Sequence, residues 1–362
     1  MFKTLKRAHN RFFGVGEADT SVPVLDGALK PNNILEKAQV FFERAGLEDM
    51  VVNGNGQLIA ACGRDILQID PDGDQHLIAQ LSAPAQALAV FRDGLVAATQ
   101  DGLSFIMGSF DGKQVHTLEG QAVQCINAMH EGPGGSLLIS QGSSNVSYAD
   151  WTTDLLSRGK SGRILEYDPQ SDSCRVRAQG LAYCYGVCFD GSRIIASETW
   201  AHRLRVIQGE TVEIGPSQIA GYPSRISRAS DGGFWLTIFA PRSQLLEFVL
   251  REDAFRSEMM QTIEPQYWIA PALSSGSDFL EPLQQGGVRQ MGILKPWAPP
   301  RSYGLVLRLS KDLEPLYSVH SRVGGLHHGI TAALEFDGAL LALSKGSGRI
   351  LRVPLSELNL QD

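Results

Sequence analysis

The chain has 362 residues, 43% hydrophobic and 20% charged, a balance suited to a globular protein with a sizeable core. Its formal net charge is −7 and it holds no long basic run, which argues against nucleic acid as a partner. No apolar run approaches the roughly 18 residues of a membrane helix, so no transmembrane segment is expected.

The first 16 residues, MFKTLKRAHNRFFGVG, carry charge but no apolar stretch of the kind a secretory signal needs. Residues 1–40 are expected to form an arm or helix packed on the body; an amphipathic helix lying on a membrane is the alternative. The five cysteines, Cys62, Cys125, Cys174, Cys184 and Cys188, are an odd number without an export signal, which predicts reduced thiols and a cytoplasmic protein. Cys184 and Cys188 are four residues apart on an expected strand, about 13 Å, too far for a disulfide or a shared metal. Core packing is the reading for both.

From residue 47 onward, short apolar strands recur, each followed by a turn signal and a second strand. The units are LEDMVVNGNGQLIAACG, AQALAVFRDGLVAAT, CINAMHEGPGGSLLIS, AYCYGVCFDGSRIIASE, YPSRISRASDGGFWLTI and GITAALEFDGALLALS. Their turn glycines are Gly56, Gly94, Gly135, Gly191, Gly232 and Gly338, with successive spacings of 38, 41, 56, 41 and 106 residues. A period near 40 with four strands per unit is propeller spacing, and the two long gaps each hold an insertion. The expected fold is all-β, a single six-bladed β-propeller over 41–357. Its insertions fall at about 143–162 and 241–302.

Strand order places these insertions. The inner strand of a blade runs from the mouth of the central axis to the first hairpin, so the loop after the second strand returns to the mouth. Both insertions follow a second strand and should roof that face. The later one contains RSQLLEFVLREDAFRSEMM, read as a helix from the spacing of Leu245, Phe248 and Val249. A lid over a pocket is its functional reading, and a dimer surface or decoration the structural one. SKGSGR near the end reads as a hairpin between strands.

Eight residues back from each turn glycine should lie side chains at one height around the axis. The count gives Glu48, Gln86, Asn127, Ser224 and Ile330, with Tyr185 in the fourth unit because its turn is shorter. Polar groups in otherwise apolar strands must be paired or functional, so the ring is either a binding site or a satisfied tunnel lining. His328 lies two residues before Ile330, and Trp200, His202 and Tyr183 flank the mouth of the fourth unit.

The stretches SGRILEYDPQSDSCRVRAQGLAYCYGVCFDGSRIIASET, GYPSRISRASDGGFWLTI, YGLVLRLSKDLEPL and ITAALEFDGALLALSKGSGRILRV together resemble the strictosidine synthase-like branch of six-bladed propellers. That branch is related to the gluconolactonase and senescence-marker (regucalcin-type) lactonases. The resemblance covers roughly residues 40–355 and includes the helical insertion of blade five. For the calcium-dependent hydrolases of that superfamily it implies four axial metal ligands: a Glu, two Asn and an Asp. Glu48 matches the Glu and Asn127 the first Asn, while Tyr185 stands at the second Asn and Ser224 at the Asp. Calcium wants six to eight oxygens, mostly from anionic ligands. A divalent cation on Glu48 and Asn127 is therefore expected to be weakly held or absent. For the condensing synthases the resemblance implies a glutamate of the last blade, which aligns with Glu335.

The functional expectation is a small-molecule enzyme with a top-face pocket, a hydrolase of a lactone or related ester. His328 would take the proton, Glu48 with Asn127 would orient a weakly held cation or a water, and Glu335 is the third catalytic candidate beside His328 and Glu48. Tyr185, Ser224, Gln86, Trp200 and His327 would contact the substrate. A metal-independent lyase or Pictet–Spengler-type condensing enzyme is the alternative, and a non-catalytic binding propeller the reading from another class. The sequence does not fix the substrate or the oligomeric state.

Overall fold

The structure, a computed structural model, describes residues 22–282 and 301–358. Twenty-four strands form six four-stranded antiparallel sheets, with a small extra hairpin at Thr117–Ala122. Five blades are built from consecutive strands; their inner strands are Leu47–Val52, Ala85–Phe91, Ile126–Glu131, Cys184–Phe189 and Gly221–Arg228. The sixth combines Ile330–Phe336, Ala339–Ser344 and Arg349–Pro354 with Gln39–Glu43, which pairs antiparallel to Arg349–Pro354 as the outermost strand. The ring is thus closed by hydrogen bonds between its first and last strands.

Each seam between neighbouring blades has its own apolar cluster. Blades two and three meet through Val96, Phe105, Leu137 and Leu165, and blades five and six through Trp235, Val306, Ile330 and Leu340. Both faces of these strands are covered, which explains why they read as near-continuous runs of Val, Leu, Ile and Ala. Full burial of each larger side chain contributes about 1.5–3 kcal/mol, so the core is spread over the whole ring.

The described part of the N-terminal arm packs on the outside of blade five. Asn32 Nδ2 donates to the Ser318 carbonyl (2.8 Å), the His320 amide donates to Asn32 Oδ1 (2.9 Å), and Leu35 is fully buried beside Trp235. Residues 1–21, and with them the amphipathic helix alternative, lie outside the described residues. No described helix is long and apolar enough to cross a membrane.

Every inner strand breaks register near its start, and this irregularity creates the axial ring. In blades one, two and three the ladder passes over a single residue, Glu48, Gln86 or Asn127. An extra residue of this kind leaves the pairing and re-aims its side chain. Blade six passes over Thr331, whereas Ile330 pairs with Ser344 and sits in the seam with blade five. The expected position at Ile330 is therefore corrected to Thr331. Gly94 already opens the second strand of blade two, but Gly338 lies inside the turn of blade six with φ 68°, so the count slips by one.

In blades four and five two residues oppose one: Tyr185 and Gly186 across from Ser197, Ser224 and Arg225 across from Thr237. Gly186 tolerates no side chain, because a Cβ there would stand 2.5 Å from the Ser224 carbonyl oxygen and 2.9 Å from Arg225 Cα. Gly186→Ala is expected to destabilise the protein by about 1–3 kcal/mol through this overpacking. Thermal unfolding checks it; an unchanged midpoint would mean the two blades approach less closely than described.

The insertion of blade five forms two helices, Gln244–Val249 and Asp253–Thr262, rather than one. Ser243 caps the first through its hydroxyl, which accepts from the Leu246 amide (3.1 Å). The buried stripe is also shifted from the expected one. Leu246, Val249 and Met259 pack on Tyr222 and Phe239, while Leu245 and Phe248 are exposed. Trp151 and Leu155 of the helix Trp151–Leu156, from the insertion of blade three, join the same cluster. The two insertions thus form one roof over blades four and five.

Candidate active site

Under this roof the mouths of the inner strands meet the returning loops. A small chamber of about 20 Å³ is lined by Tyr148, Trp151, Tyr183, Tyr185, Trp200, Phe239, Leu273 and Lys345. The insertions supply Tyr148, Trp151 and Leu273, and the hairpin after Ala339–Ser344 supplies Lys345. The aromatic rings brace one another: Tyr183 stacks on Trp200 at 4.5 Å, and Trp151 meets Phe239 edge-on at 5.5 Å. The Trp200 indole donates to Asp154 Oδ1 (2.9 Å), which fixes the roof helix to blade four.

Behind two of these wall residues lies Glu48, 8% exposed. Lys345 Nζ donates to Glu48 Oε1 (2.7 Å) and to the Tyr148 hydroxyl oxygen (3.0 Å), and the Tyr148 hydroxyl itself donates to Glu48 Oε1. The ammonium also lies 4.8 Å from the Tyr148 ring centroid. Burial first, and then the Glu48 charge, pushes the Tyr148 phenol well above its usual range. Tyr148 is therefore a neutral hydrogen-bond donor at physiological pH.

The channel is blocked just below. Arg225, 7% exposed, reaches across the axis from blade five: Nη1 donates to the Glu48 carbonyl (3.3 Å) and Nη2 to the Gln86 carbonyl (2.9 Å). Its guanidinium carbon is 5.5 Å from the Tyr185 ring centroid and its Nε is 3.2 Å from Asp49 Oδ2. Asp49 also accepts from the Met50 and Leu88 amides (both 2.9 Å). Burial raises the Asp49 carboxyl to about 6, with Arg225 opposing the rise. The Arg225–Asp49 pair is a septum that divides the tunnel into two cavities.

The structure brings together some of the expected residues and disperses others. Glu48, Tyr185 and Trp200 converge on the chamber. Gln86 turns to accept from the Ile126 amide (3.2 Å), and Asn127 is held between the Cys184 carbonyl (2.7 Å) and the Tyr183 hydroxyl (3.3 Å). Ser224 is corrected: its Oγ lies 2.8 Å from Thr237 Oγ1 in the seam of blades five and six, and the next residue, Arg225, faces the axis. His328 is not available as a base. Its Nε2 donates to the Arg322 carbonyl (2.9 Å), its Nδ1 accepts from Ser302 (2.7 Å), and burial depresses its pKa. His327 lies outside the chamber, within the field of Glu36.

Glu335 is corrected as well. It accepts from Trp235 Nε1 (2.8 Å) and the Ser230 amide (3.1 Å) near the opposite end of its strand. Its place near the end of Ile330–Phe336 puts it about 15 Å along the channel from the mouth. A glutamate there bonds the neighbouring blade and does not meet a substrate in the chamber.

These contacts test the implied cation. Glu48 Oε1 already carries an ammonium and a phenol, Asn127 is spent on protein partners, and Ser224 is turned away. Among the described residues no group of three or more His, Cys, Asp or Glu side chains could hold a metal. Calcium needs several anionic oxygens; here one carboxylate is matched by Lys345. The donor set does not fit the ion.

Sequence reasoning passed over Tyr148, Lys345, Arg225 and Asp49. Lys345 had a faint signal as the one charged residue of SKGSG at a loop that must return to the mouth. Tyr148 had none beyond its place in an insertion.

No family model matches the sequence. Adipocyte plasma membrane-associated protein of Salmo salar is 21% identical over 375 residues, spanning 93% of this chain and 82% of that protein. Strictosidine synthase-like 6 of Arabidopsis thaliana is 27% identical over 160 residues, 42% of this chain and 43% of that one. The chain thus has homologues named strictosidine synthase-like and homologues named adipocyte plasma membrane-associated protein. Among solved structures, a gluconolactonase from Xanthomonas campestris superposes with a TM-score of 0.57 at 12% identity, covering 93% of this chain and 95% of its own. A luciferin-regenerating enzyme gives 0.54 at 9% identity, covering 89% and 94%. At these identities the likeness is one of fold, the six-bladed propeller.

Proposed function

We propose that the chain is a metal-independent hydrolase of a small cyclic or aromatic ester or lactone, acting in the chamber at the mouth of the propeller. The observation that carries this reading is the cluster of Lys345 Nζ, the Tyr148 hydroxyl and Glu48 Oε1 within hydrogen-bond reach of one another on the wall of an aromatic pocket. An entering carbonyl oxygen accepts hydrogen bonds from Lys345 and Tyr148, which become the donors for the developing oxyanion. Glu48, released from those donors, takes the proton from an attacking water. Collapse of the tetrahedral intermediate breaks the ester bond, and the Glu48 carboxyl returns the proton to the leaving oxygen, giving a hydroxy acid from a lactone.

The aromatic walls favour a flat or cyclic body. A space of about 20 Å³ holds little more than one water, so the substrate must displace the roof of Trp151 and Leu273. The test is turnover of a panel of aryl esters and lactones in the presence of chelator. Activity is expected to persist with EDTA and to fall at least about 100-fold in Glu48→Gln. Activity that ignores Glu48→Gln, or none on any panel member, would move the reading to the lyase or binding alternatives.

A further inference from the structure

Below the septum the channel opens on the opposite face as a funnel of about 580 Å³, within the size range of small-molecule sites. Its walls are the far halves of the inner strands: the half-buried Val52 and Leu334 line it, with Met50, Leu88, Met129 and Ile226 packed behind in the blade seams. Water in such a space finds few polar partners. The Arg225–Asp49 pair closes the inner end, and its groups are largely spent on each other and on backbone.

The charged groups of the outer rim differ in their partners. Glu131 accepts from the Arg92 amide (3.2 Å), and Glu335 from Ser230 and Trp235. His130 places Nδ1 2.6 Å from the Glu131 carbonyl oxygen and is kept neutral, by burial first and by the nearby Arg228 charge as well. Arg228 lines the funnel, is exposed, and has no side-chain hydrogen bond or ion pair among the described residues. A largely apolar cavity is thus overlooked by one guanidinium without a side-chain partner, while Glu131 and Glu335 at the same rim are held in place by neutral N–H donors.

We propose that this funnel is a second binding site, for an amphipathic monoanion. Its hydrocarbon or aryl body occupies the apolar walls and its single carboxylate rests on Arg228. Planar bidentate pairing suits a guanidinium to that headgroup, and the half-buried Val52 and Leu334 offer apolar surface to its body. The site is separated from the chamber by the septum and does not depend on the hydrolase reading.

The test uses the full chain and 8-anilinonaphthalene-1-sulfonate fluorescence, with octanoate, octanol and octylamine as competitors. Saturable binding at one site is expected, with octanoate displacing the probe about tenfold better than octylamine. Arg228→Glu, at an exposed position, should weaken octanoate by a similar factor, and Val52→Trp, filling the funnel, should abolish probe binding. Glu48→Gln should leave both unchanged. Absence of saturable binding, equal competition by octylamine, or octanoate affinity untouched by Arg228→Glu would each overturn the proposal.

Discussion

Replacing Arg225 with methionine is expected to cost about 3–5 kcal/mol of stability at pH 8, because it leaves a buried carboxylate without its partner. The loss should be clearly smaller at pH 5. Asp49 titrates at about 6 in the folded protein against an ordinary 3.8. A carboxyl raised in this way favours folding most below pH 4, and that contribution shrinks as pH climbs through the interval from about 4 to 6. Removing the guanidinium deletes the largest influence holding the value down, leaving the Leu88 and Met50 amides, so the interval extends upward. At pH 5 the variant's Asp49 is protonated and its burial costs little; at pH 8 the full penalty applies. Denaturant unfolding at the two pH values measures this, and Arg225→Met with Asp49→Asn should recover part of the loss at pH 8: the unpaired charge is gone, but Met50 and Leu88 donate to different Asp49 oxygens and the single amide oxygen keeps only one of those bonds. A pH-independent deficit, or no rescue, would mean that Arg225 acts through its backbone contacts to Glu48 and Gln86 instead.

The second large effect concerns chemistry rather than stability. Lys345→Met is expected to lower kcat by about 10²–10³-fold with KM changed much less, the pattern of a lost oxyanion donor. Lys345→Arg should restore part of the rate, because the charge returns on a longer, planar group. Tyr148→Phe should fall between wild type and Lys345→Met, since one donor remains. Steady-state kinetics on the best panel substrate decides; a KM effect alone would assign Lys345 to ground-state binding.

The contrast between what the sequence reveals and conceals has a physical basis. Blade number and the face of the insertions were legible because period-two strands, turn glycines and a spacing near 40 are repeated signals. Glu48, Gln86 and Asn127 are picked out by one count because blades one, two and three share a bulge of one residue at the same place in the strand. Blades four and five carry a two-residue bulge, and that extra residue puts Arg225, not Ser224, across the channel. In blade six the glycine sits one position earlier, inside the turn, and the skipped residue is Thr331 in place of Ile330.

Loop residues were the least legible. Tyr148 reaches Glu48 from 100 positions away and Lys345 from 297, and no periodicity encodes either meeting. His328 attracted notice by residue type, but pairing with Ser302 and Arg322 decides its role. The helix of blade five was misphased because it is two short helices, each anchored by different contacts.

The hydrolase proposed above uses Lys345 as the positive charge of the axial site in place of a divalent ion. Titration of the protein with terbium, read by luminescence sensitised from Trp151, Trp200 and Tyr148, and with calcium, read by thermal unfolding, tests this most directly. The expected result is luminescence no greater than that of Glu48→Gln and a melting midpoint indifferent to calcium or EDTA. Stoichiometric binding that disappears in Glu48→Gln would contradict it.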